Sequence, residues 1–341
     1  MKSNTDQSRR IVHYAYGEPQ RVLQVEDNVD MPPLTGDQVC VRVSRSPVHP
    51  GDLQLIESTY AQPATAIPAG RVPGLEAVGT VEDAAPGALQ GTGLTLGSRV
   101  AFFAPGAWQS RTRVAASTLL PIPDDVPDAV AAQIVINTIT ARHLLRTGLR
   151  SLPNKPHHVV LTSAASAVAK LLTLFAMHEG LTPIRLVRSS RSAEQLASLL
   201  PGGDIINTGL HGWQESVREL SHNDIPIVFD GLGSALFEDM TDLLNVGGTF
   251  VSYGMLTGAT ADLTPVVMKA LRLTGVTINT WRNDTTQQER SEDMAAAIRC
   301  ARTNPQLFAG YREFALAELS TAIDAVSAAG KTGNVLLKFQ E

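Results

Sequence analysis

Hydrophobic and polar residues follow two different patterns along the chain, and the change falls near residue 128. Before it, apolar residues alternate with polar ones over short stretches such as 38–43 and 76–81, with proline and glycine between the stretches. Alternation with a period of two predicts strands that bury one face. We therefore expect a small, partly closed β domain over residues 10–127.

The pattern after residue 128 predicts helices and buried strands in turn. Residues 129–149 carry apolar side chains at helical spacing, with few breakers before Gly148. Strands are then predicted at 159–162, 184–187, 205–206, 225–229 and 249–253, with helices near 168–179, 193–200, 213–220 and 236–244. Such alternation is typical of a doubly wound parallel sheet. The last segment predicts a strand after Gly275, a helix near 292–302 and a closing strand at 334–339.

Length and composition fit two globular domains of class α/β. The chain has 341 residues, of which 43% are hydrophobic and 18% charged, so it can bury a sizeable core. We assign residues 1–128 and 282–341 to the β domain, and residues 129–281 to a nucleotide-binding domain.

Charge and cysteine content exclude several classes of partner. The net charge is −5 and the 28 basic residues are scattered, which argues against nucleic-acid binding. Cys40 and Cys300 can form neither a disulfide framework nor a four-thiolate zinc site. Residues 1–10 are polar, and no run of about 18 apolar residues follows. We expect a cytoplasmic protein without membrane contact.

The turn after the first strand of the second domain is a candidate phosphate site. Residues 162–169 read Thr-Ser-Ala-Ala-Ser-Ala-Val-Ala, so small residues replace the glycines of a dinucleotide turn. An ordinary tight strand-to-helix turn is the alternative. About 20 residues later stand Arg188, Ser189, Ser190 and Arg191, where an acidic residue would favour NAD. Two guanidinium groups with two hydroxyls favour the 2′-phosphate of NADPH, against the alternative of a solvated basic turn.

Blocks across nearly the whole chain resemble one family. The matching segments are 48–52, 72–79, 106–108, Asn137 with Thr140 and Ala141, 187–188, 252–255 and 275–281. The sequence resembles the zinc-independent medium-chain dehydrogenases/reductases, and most of all their trans-2-enoyl-CoA and enoyl-acyl-carrier-protein reductases. This implies a GroES-like, partly closed β-barrel catalytic domain beside a Rossmann domain. Val48 lies near the place of the zinc-binding Cys of other relatives, and Leu75 stands for their His, so no metal is expected.

The resemblance also assigns roles to residues. It implies that Tyr60 is the catalytic residue, which stabilises or protonates the enolate formed when NADPH gives hydride to the β-carbon. The family has Gly two residues before this Tyr, where this chain has Ser58. Trp281 would line the acyl pocket, and Asn334 replaces a Lys that closes over the cofactor. Cofactor contacts are expected from Asn137, Ser166, Ala167, Val168, Arg188, Ser189, Ser190, Arg191, Tyr253, Gly254, Met255 and Leu256.

Three functions are compatible with these residues. The first is NADPH-dependent reduction of the C=C bond of a trans-2-enoyl thioester, on coenzyme A or on a carrier protein. The second is a zinc-free quinone or enone oxidoreductase, which needs no Tyr at this place. The third is a non-catalytic binding scaffold, because the phosphate turn has lost its glycines. The resemblance further implies a homodimer paired through the sheet edge near residues 276–280, whereas none of the histidines, His49 included, is assigned to proton transfer.

Overall fold

The computed structural model describes residues 8–58, 67, 69–254, 260–328 and 333–340. The chain divides into two compact units, one of residues 1–136 and 297–341 and one of residues 137–296. The domain boundaries drawn from the sequence, 128/129 and 281/282, stay a prediction. Tyr60, Met255 and Leu256 lie outside the described residues.

The first unit begins with seven strands and three short helices. They are β1 (Arg9–Val12), α1 (Pro19–Val22), β2 (Gln24–Asp27), β3 (Gln38–Val48), α2 (Pro50–Ile56), β4 (Glu76–Ala84), β5 (Arg99–Phe103), β6 (Arg111–Ala115), β7 (Leu119–Pro121) and α3 (Asp128–Ala131). The alternating stretches at 38–43 and 76–81 thus lie in β3 and β4, as predicted.

Most of residues 134–303 form the second unit, whereas residues 134–136 and 297–303 belong to the first. This stretch alternates helices and strands. They are α4 (Ile134–Arg150), β8 (His158–Leu161), α5 (Ala167–His178), β9 (Thr182–Val187), α6 (Ser190–Leu199), β10 (Asp204–Asn207), α7 (Trp213–Ser221), β11 (Ile227–Asp230), α8 (Phe237–Leu243), β12 (Thr249–Ser252), α9 (Thr264–Met268), β13 (Arg272–Gly275), α10 (Ile278–Asp284) and α11 (Gln287–Thr303). The chain then returns to the first unit with β14 (Arg312–Ala315), α12 (Leu319–Ser327) and β15 (Val335–Lys338).

A seven-stranded sheet organises the first unit. Its order is β14-β15-β3-β4-β5-β7, and β6 also pairs with β3. The long strand β3 therefore has three antiparallel neighbours, and its register shifts between Cys40 and Val41 and again between Val43 and Arg45. Such shifts bend a strand, which lets one strand serve several partners. Val41, Val43 and Phe102 belong to a buried cluster of this unit. The predicted class, a GroES-like β domain with a Rossmann domain, is confirmed.

A six-stranded parallel sheet organises the second unit, in the order β10-β9-β8-β11-β12-β13. The chain runs from β8 outward to β10 on one side, and then from β11 outward to β13 on the other. The direction therefore reverses between β8 and β11. Ligands of such sheets bind at the carboxyl ends of the strands at this reversal, which locates the candidate site.

Two sequence predictions need correction here. The helix expected over 129–149 is two helices, because α3 ends at Ala131 and α4 begins at Ile134. The sheet edge expected at 276–280 lies earlier, in β13, and the chain turns into α10 at Ile278. Thr277 causes this, because its hydroxyl accepts the Thr280 N–H at 3.2 Å while its own N–H donates to the Thr280 hydroxyl at 2.9 Å. This reciprocal capping ends the extended backbone.

Candidate active site and nucleotide-binding edge

The turn between β8 and α5 lies at the reversal point of the parallel sheet. Ser163 has a φ of +44°, in the left-handed region, and the Ser166 N–H donates to its carbonyl at 2.8 Å. The Ala164 N–H donates to the Leu186 carbonyl at 3.1 Å and so ties the turn to β9. Ala165 and Ser166 are exposed. The turn is tight and accessible, and its side chains are small.

Helix α5 starts at this turn with the geometry of an anion site. The Ser166 hydroxyl accepts the Ala169 N–H at 3.2 Å, so Ser166 is the N-cap. Ala167 and Val168 follow it and are half-buried. The first N–H groups of a helix have no acceptor within the helix, and the helix dipole adds positive charge at this end. Three of the predicted cofactor residues, Ser166, Ala167 and Val168, therefore lie together at a helix N-terminus of the kind that can bind an anion, and their contact with a cofactor stays a prediction.

The surroundings of the Tyr253 hydroxyl indicate whether a dinucleotide fits at this edge of the parallel sheet. This hydroxyl is buried and faces the hydroxyls of Ser163 and Ser166, but no described residue accepts its proton in a hydrogen bond of ordinary geometry. Burial raises its pKa to about 12, so the phenol stays a donor at neutral pH. A buried donor without an acceptor is costly. A ligand oxygen at the start of α5 would supply that acceptor, so the residues present fit the diphosphate of a nicotinamide dinucleotide.

The end of β12 approaches the end of β11 closely. The Tyr253 N–H donates to the Asp230 carbonyl at 2.9 Å. A Cβ on Gly254 would lie 2.2 Å from the carbonyl oxygen of Gly231, so only glycine fits there. The buried carboxylate of Asp230 accepts the Thr162 hydroxyl at 2.5 Å and the Gly233 N–H at 2.8 Å. This network fixes the edge on both sides of the reversal point.

Arg188 and Arg191 flank the start of α6, at the carboxyl end of β9. Both are exposed, and the described residues place no acidic side chain in an ion pair with either. Ser189 is the N-cap of α6 and accepts the Ser192 N–H at 3.2 Å, while the Ser190 hydroxyl accepts from Asn207 at 3.1 Å. The two guanidinium groups are available to an external anion.

Asn137 and Trp281 are both buried in the second unit. The Trp281 indole N–H donates to the Asp293 carboxylate at 2.8 Å, and this carboxylate also accepts from Arg142 at 2.5 Å and from Arg146 at 2.7 Å. These contacts hold Trp281 in a packed charged network. Its role in an acyl pocket and the cofactor contact of Asn137 stay predictions.

The candidate catalytic segment belongs to the first unit. Ser58, two residues before Tyr60, has a φ of +64°. This left-handed conformation favours glycine, the residue that the resemblance places there. Asn334, which stands for the expected Lys, donates to the Gln133 side chain at 2.6 Å. Tyr60 itself lies outside the described residues, so its role stays a prediction.

A polar cluster that the sequence analysis missed lies at the start of α2. His49 Nε2 is 2.8 Å from Glu76 Oε1, and Glu76 Oε2 accepts the Ile136 N–H at 2.8 Å. Asp52 Oδ2 accepts the His49 N–H at 2.8 Å, whereas Asp52 Oδ1 is buried without a hydrogen bond to the described residues. Burial raises the pKa of Asp52 to about 6. The signal was present, because His49 and Glu76 lie in two of the family blocks, but 27 residues separate them.

Comparison with protein families gives two matches. Residues 35–124 match the family described as "Alcohol dehydrogenase GroES-like domain", and residues 167–297 match the family described as "Zinc-binding dehydrogenase". In the described part of the chain no group of three or more His, Cys, Asp or Glu side chains could hold a metal ion. The chain thus shares the domain families without a described zinc-ligand cluster.

Comparison with individual proteins gives enzymes of two kinds. The mitochondrial enoyl-[acyl-carrier-protein] reductase of Dictyostelium discoideum is 25% identical over 293 residues, which cover 83% of this chain and 81% of that protein. A Bacillus thuringiensis protein described as an NADPH:quinone reductase has a TM-score of 0.83 at 27% identity, with 97% and 99% of the two chains covered. A mycobacterial protein solved in complex with NADPH has a TM-score of 0.79 at 26% identity, again over 97% and 99%.

Proposed function

We propose that this chain, which belongs to the medium-chain dehydrogenases/reductases of the quinone oxidoreductase-like type, catalyses the NADPH-dependent reduction of the C=C bond of a trans-2-enoyl thioester. The chain is an oxidoreductase of this superfamily. What we propose beyond this is that the cofactor is NADPH and that the substrate is an enoyl thioester.

One observation carries the choice of cofactor. Arg188 and Arg191 stand exposed at the end of β9, next to the strand whose turn leads into α5. A dinucleotide whose diphosphate lies at the start of α5 has its adenosine ribose near the end of the following strand. Two cations there favour a 2′-phosphate over a free hydroxyl. The NADPH complex of the similar mycobacterial protein supports the same cofactor.

The substrate follows from Tyr60 and from the enoyl reductases among the relatives. When bound, NADPH supplies a hydride to the β-carbon of the substrate. Negative charge then moves to the thioester oxygen, where a phenol such as that of Tyr60 donates a hydrogen bond. A proton finally reaches the α-carbon, and the product is the saturated thioester. Ser58 supports this role, since its left-handed backbone is the conformation that favours glycine, the residue that the resemblance places two positions before the catalytic Tyr.

A quinone oxidoreductase is the second candidate. The B. thuringiensis protein, described as an NADPH:quinone reductase, covers this chain almost completely. A quinone accepts hydride without forming a thioester enolate, so it does not require Tyr60. The two candidates therefore differ in their dependence on one side chain.

We also propose a homodimer and a cytoplasmic location. Strand β13 ends the parallel sheet, and Leu273 on it is 43% exposed. Leu263, Val267 and Met268, on or beside α9, are between 58% and 77% exposed. A second copy would cover this apolar edge and extend the sheet. Cys40 and Cys300 are buried and form no disulfide among the described residues, which suits a reducing compartment. Within the described residues, no helix has the length and apolar character needed to cross a bilayer.

A substrate panel tests the proposal. Purified protein is assayed for NADPH and NADH oxidation with a four-carbon and a ten-carbon trans-2-enoyl-CoA and with 1,4-benzoquinone. We expect NADPH-dependent turnover of the enoyl thioesters at least ten times that of the quinone. Turnover of the quinone alone would establish the second candidate, and light scattering on the same sample tests the dimer.

A further inference from the structure

Lys170 is a lysine in an unusual place. It lies in the first turn of α5, four residues after the N-cap, and its N–H donates to the Ser166 carbonyl at 3.0 Å. Only 4% of its surface is exposed. Residues 169–176 of α5 are all buried, so this helix offers the lysine no solvent face.

The ammonium group of Lys170 has no counter-charge among the residues that the structure describes. The described residues give its Nζ neither a hydrogen bond nor an ion pair. Burial alone lowers the pKa of Lys170 to about 8, and no charged side chain of the described chain contributes to this shift. A buried and unpaired ammonium destabilises a folded protein unless an anion arrives to pair with it.

The position of Lys170 determines which anion can arrive. In a helix the Cα–Cβ bonds tilt toward the N-terminus, so a side chain covers the residues three and four positions before it. For Lys170 these are Ala167 and Ser166, the residues that start the helix. The unpaired Tyr253 hydroxyl faces Ser166 from the other side of the turn. The Lys170 ammonium and the Tyr253 hydroxyl thus border one helix end, and the described residues give neither of them an acceptor of ordinary hydrogen-bond geometry.

The position of Lys170 compensates for the glycines that the turn between β8 and α5 lacks. In a glycine-rich turn the backbone approaches the diphosphate closely, and backbone N–H groups bind it. Methyl groups at Ala167 and Ala169 keep a diphosphate farther from the backbone. A long cationic side chain can bridge the added distance, which a shorter side chain could not.

We propose that Lys170 is a cofactor-binding residue, whose ammonium group pairs with the diphosphate of the dinucleotide at the start of α5. The inference rests on the nicotinamide dinucleotide of the proposed function and does not depend on the thioester substrate. The charge of Lys170 thus takes the place of the backbone contacts that a glycine-rich turn would make with the diphosphate.

Binding measurements with three ligands test this role. Dissociation constants of NADPH, NADH and adenosine 2′,5′-bisphosphate are measured by calorimetry at pH 7 for the unmutated protein, Lys170→Met, Lys170→Arg and Lys155→Met. Methionine matches the length of lysine and tolerates burial. Lys155, 57% exposed, is the control for loss of a surface charge.

We expect Lys170→Met to raise the dissociation constants of NADPH and NADH by the same factor, about 10- to 100-fold, which is the effect of losing one charged contact. The bisphosphate keeps only the adenosine-side phosphate of the diphosphate, so its binding should weaken no more than that of NADPH. Lys170→Arg should recover most of the affinity, and Lys155→Met should change nothing. Equal affinities in Lys170→Met would overturn the proposal. So would a loss confined to NADPH and the bisphosphate, because Lys170 would then serve the 2′-phosphate, and so would an unmutated protein that binds neither cofactor.

A second measurement does not depend on any variant folding. Pairing with an anion raises the pKa of a lysine, so the unmutated protein should take up protons when it binds NADH at pH 8.5. Calorimetry in two buffers of different ionisation enthalpy measures this uptake, and its absence would contradict the pairing. If the affinities follow the expected pattern while enoyl thioesters are not reduced, the role of Lys170 stands and the proposed substrate fails.

Discussion

His49 and Glu76 join two distant parts of the first unit, since His49 Nε2 lies 2.8 Å from Glu76 Oε1. The Glu76 carboxylate is almost completely buried, and its other oxygen accepts the Ile136 N–H. One side chain therefore holds the start of α2, the start of β4 and the first turn of α4 together.

Removing the Glu76 carboxylate should destabilise this unit strongly. Glu76→Leu leaves the His49 imidazole and the Ile136 N–H without their acceptor, and we expect a loss of about 2–4 kcal/mol in the free energy of unfolding. Glu76→Gln keeps one acceptor oxygen, so its free energy of unfolding should fall by about half as much. Urea unfolding of the three proteins measures the difference, and equal stability of Glu76→Leu and the unmutated protein would refute the role of the cluster.

Asp52 should make stability depend on pH. Burial raises its pKa from 3.8 to about 6, so the folded protein holds this proton at pH values where the unfolded chain has released it. Its contribution to stability is complete below pH 4 and is lost as the pH rises through 6. Between pH 4.5 and 7 this loss amounts to about 2 kcal/mol.

The variant Asp52→Asn isolates this effect. The amide does not titrate, so the free energy of unfolding should fall about 2 kcal/mol less over this pH interval than in the unmutated protein. Asp37→Asn, at an exposed position, is the matched control and should behave like the unmutated protein. Parallel pH profiles for Asp52→Asn and the control would contradict a raised pKa at Asp52.

Arg188 and Arg191 should select between the two nicotinamide cofactors. Each Arg→Ala change removes one charged contact to a 2′-phosphate and should raise the KM for NADPH about 10-fold, while the KM for NADH stays the same. The described residues offer neither arginine an ion pair, so thermal stability should not change. Steady-state kinetics with both cofactors measures the ratio of the two KM values. An equal rise in KM for NADPH and NADH would show that the arginines do not recognise the 2′-phosphate.

Much of the fold was predictable because periodicity reports burial directly. The alternation in β3 and β4 and the apolar runs of β8 to β12 each follow from one buried face or two. The edge near 276–280 was predicted wrongly, because a pair of threonines, Thr277 and Thr280, can cap a helix as well as extend a strand. Local side-chain hydrogen bonds decided between the two, and their geometry is not visible in the residue pattern.

The sequence supports a prediction about the site where one residue type has one chemical meaning, as for Arg188 and Arg191, whose role stays a prediction. The site was not predictable where the meaning depends on a distant partner. His49 was assigned no part in proton transfer, as a lone histidine is more often packed or solvated, and only the fold brings Glu76 to it. The sequence analysis gave Lys170 no role, and only the structure shows that residues 169–176 of α5 are buried around the whole circumference of the helix. Trp281 was predicted as a pocket residue, and the structure adds a buried hydrogen bond that its position in the sequence did not indicate.

Trp281 should matter for stability through Asp293. Trp281→Phe keeps the aromatic packing but removes the donor to a fully buried carboxylate, which should cost about 1–2 kcal/mol in the free energy of unfolding. Trp213→Phe, a buried tryptophan without a hydrogen bond to Asp293, is the comparison. Urea unfolding decides, and a Trp281→Phe variant as stable as the unmutated protein would show that the bond contributes nothing. If Trp281 also lines an acyl pocket, Trp281→Ala should shift the preferred enoyl chain to greater length.

The most direct test of the proposed reaction is the effect of Tyr60→Phe on NADPH oxidation with a trans-2-enoyl-CoA. The phenyl ring keeps the shape of the residue and removes only the hydroxyl that would stabilise the enolate. We predict that kcat with the thioester falls about 100-fold or more, while the dissociation constant of NADPH and any turnover of 1,4-benzoquinone stay unchanged. Retention of full thioester turnover by Tyr60→Phe would contradict the proposed mechanism.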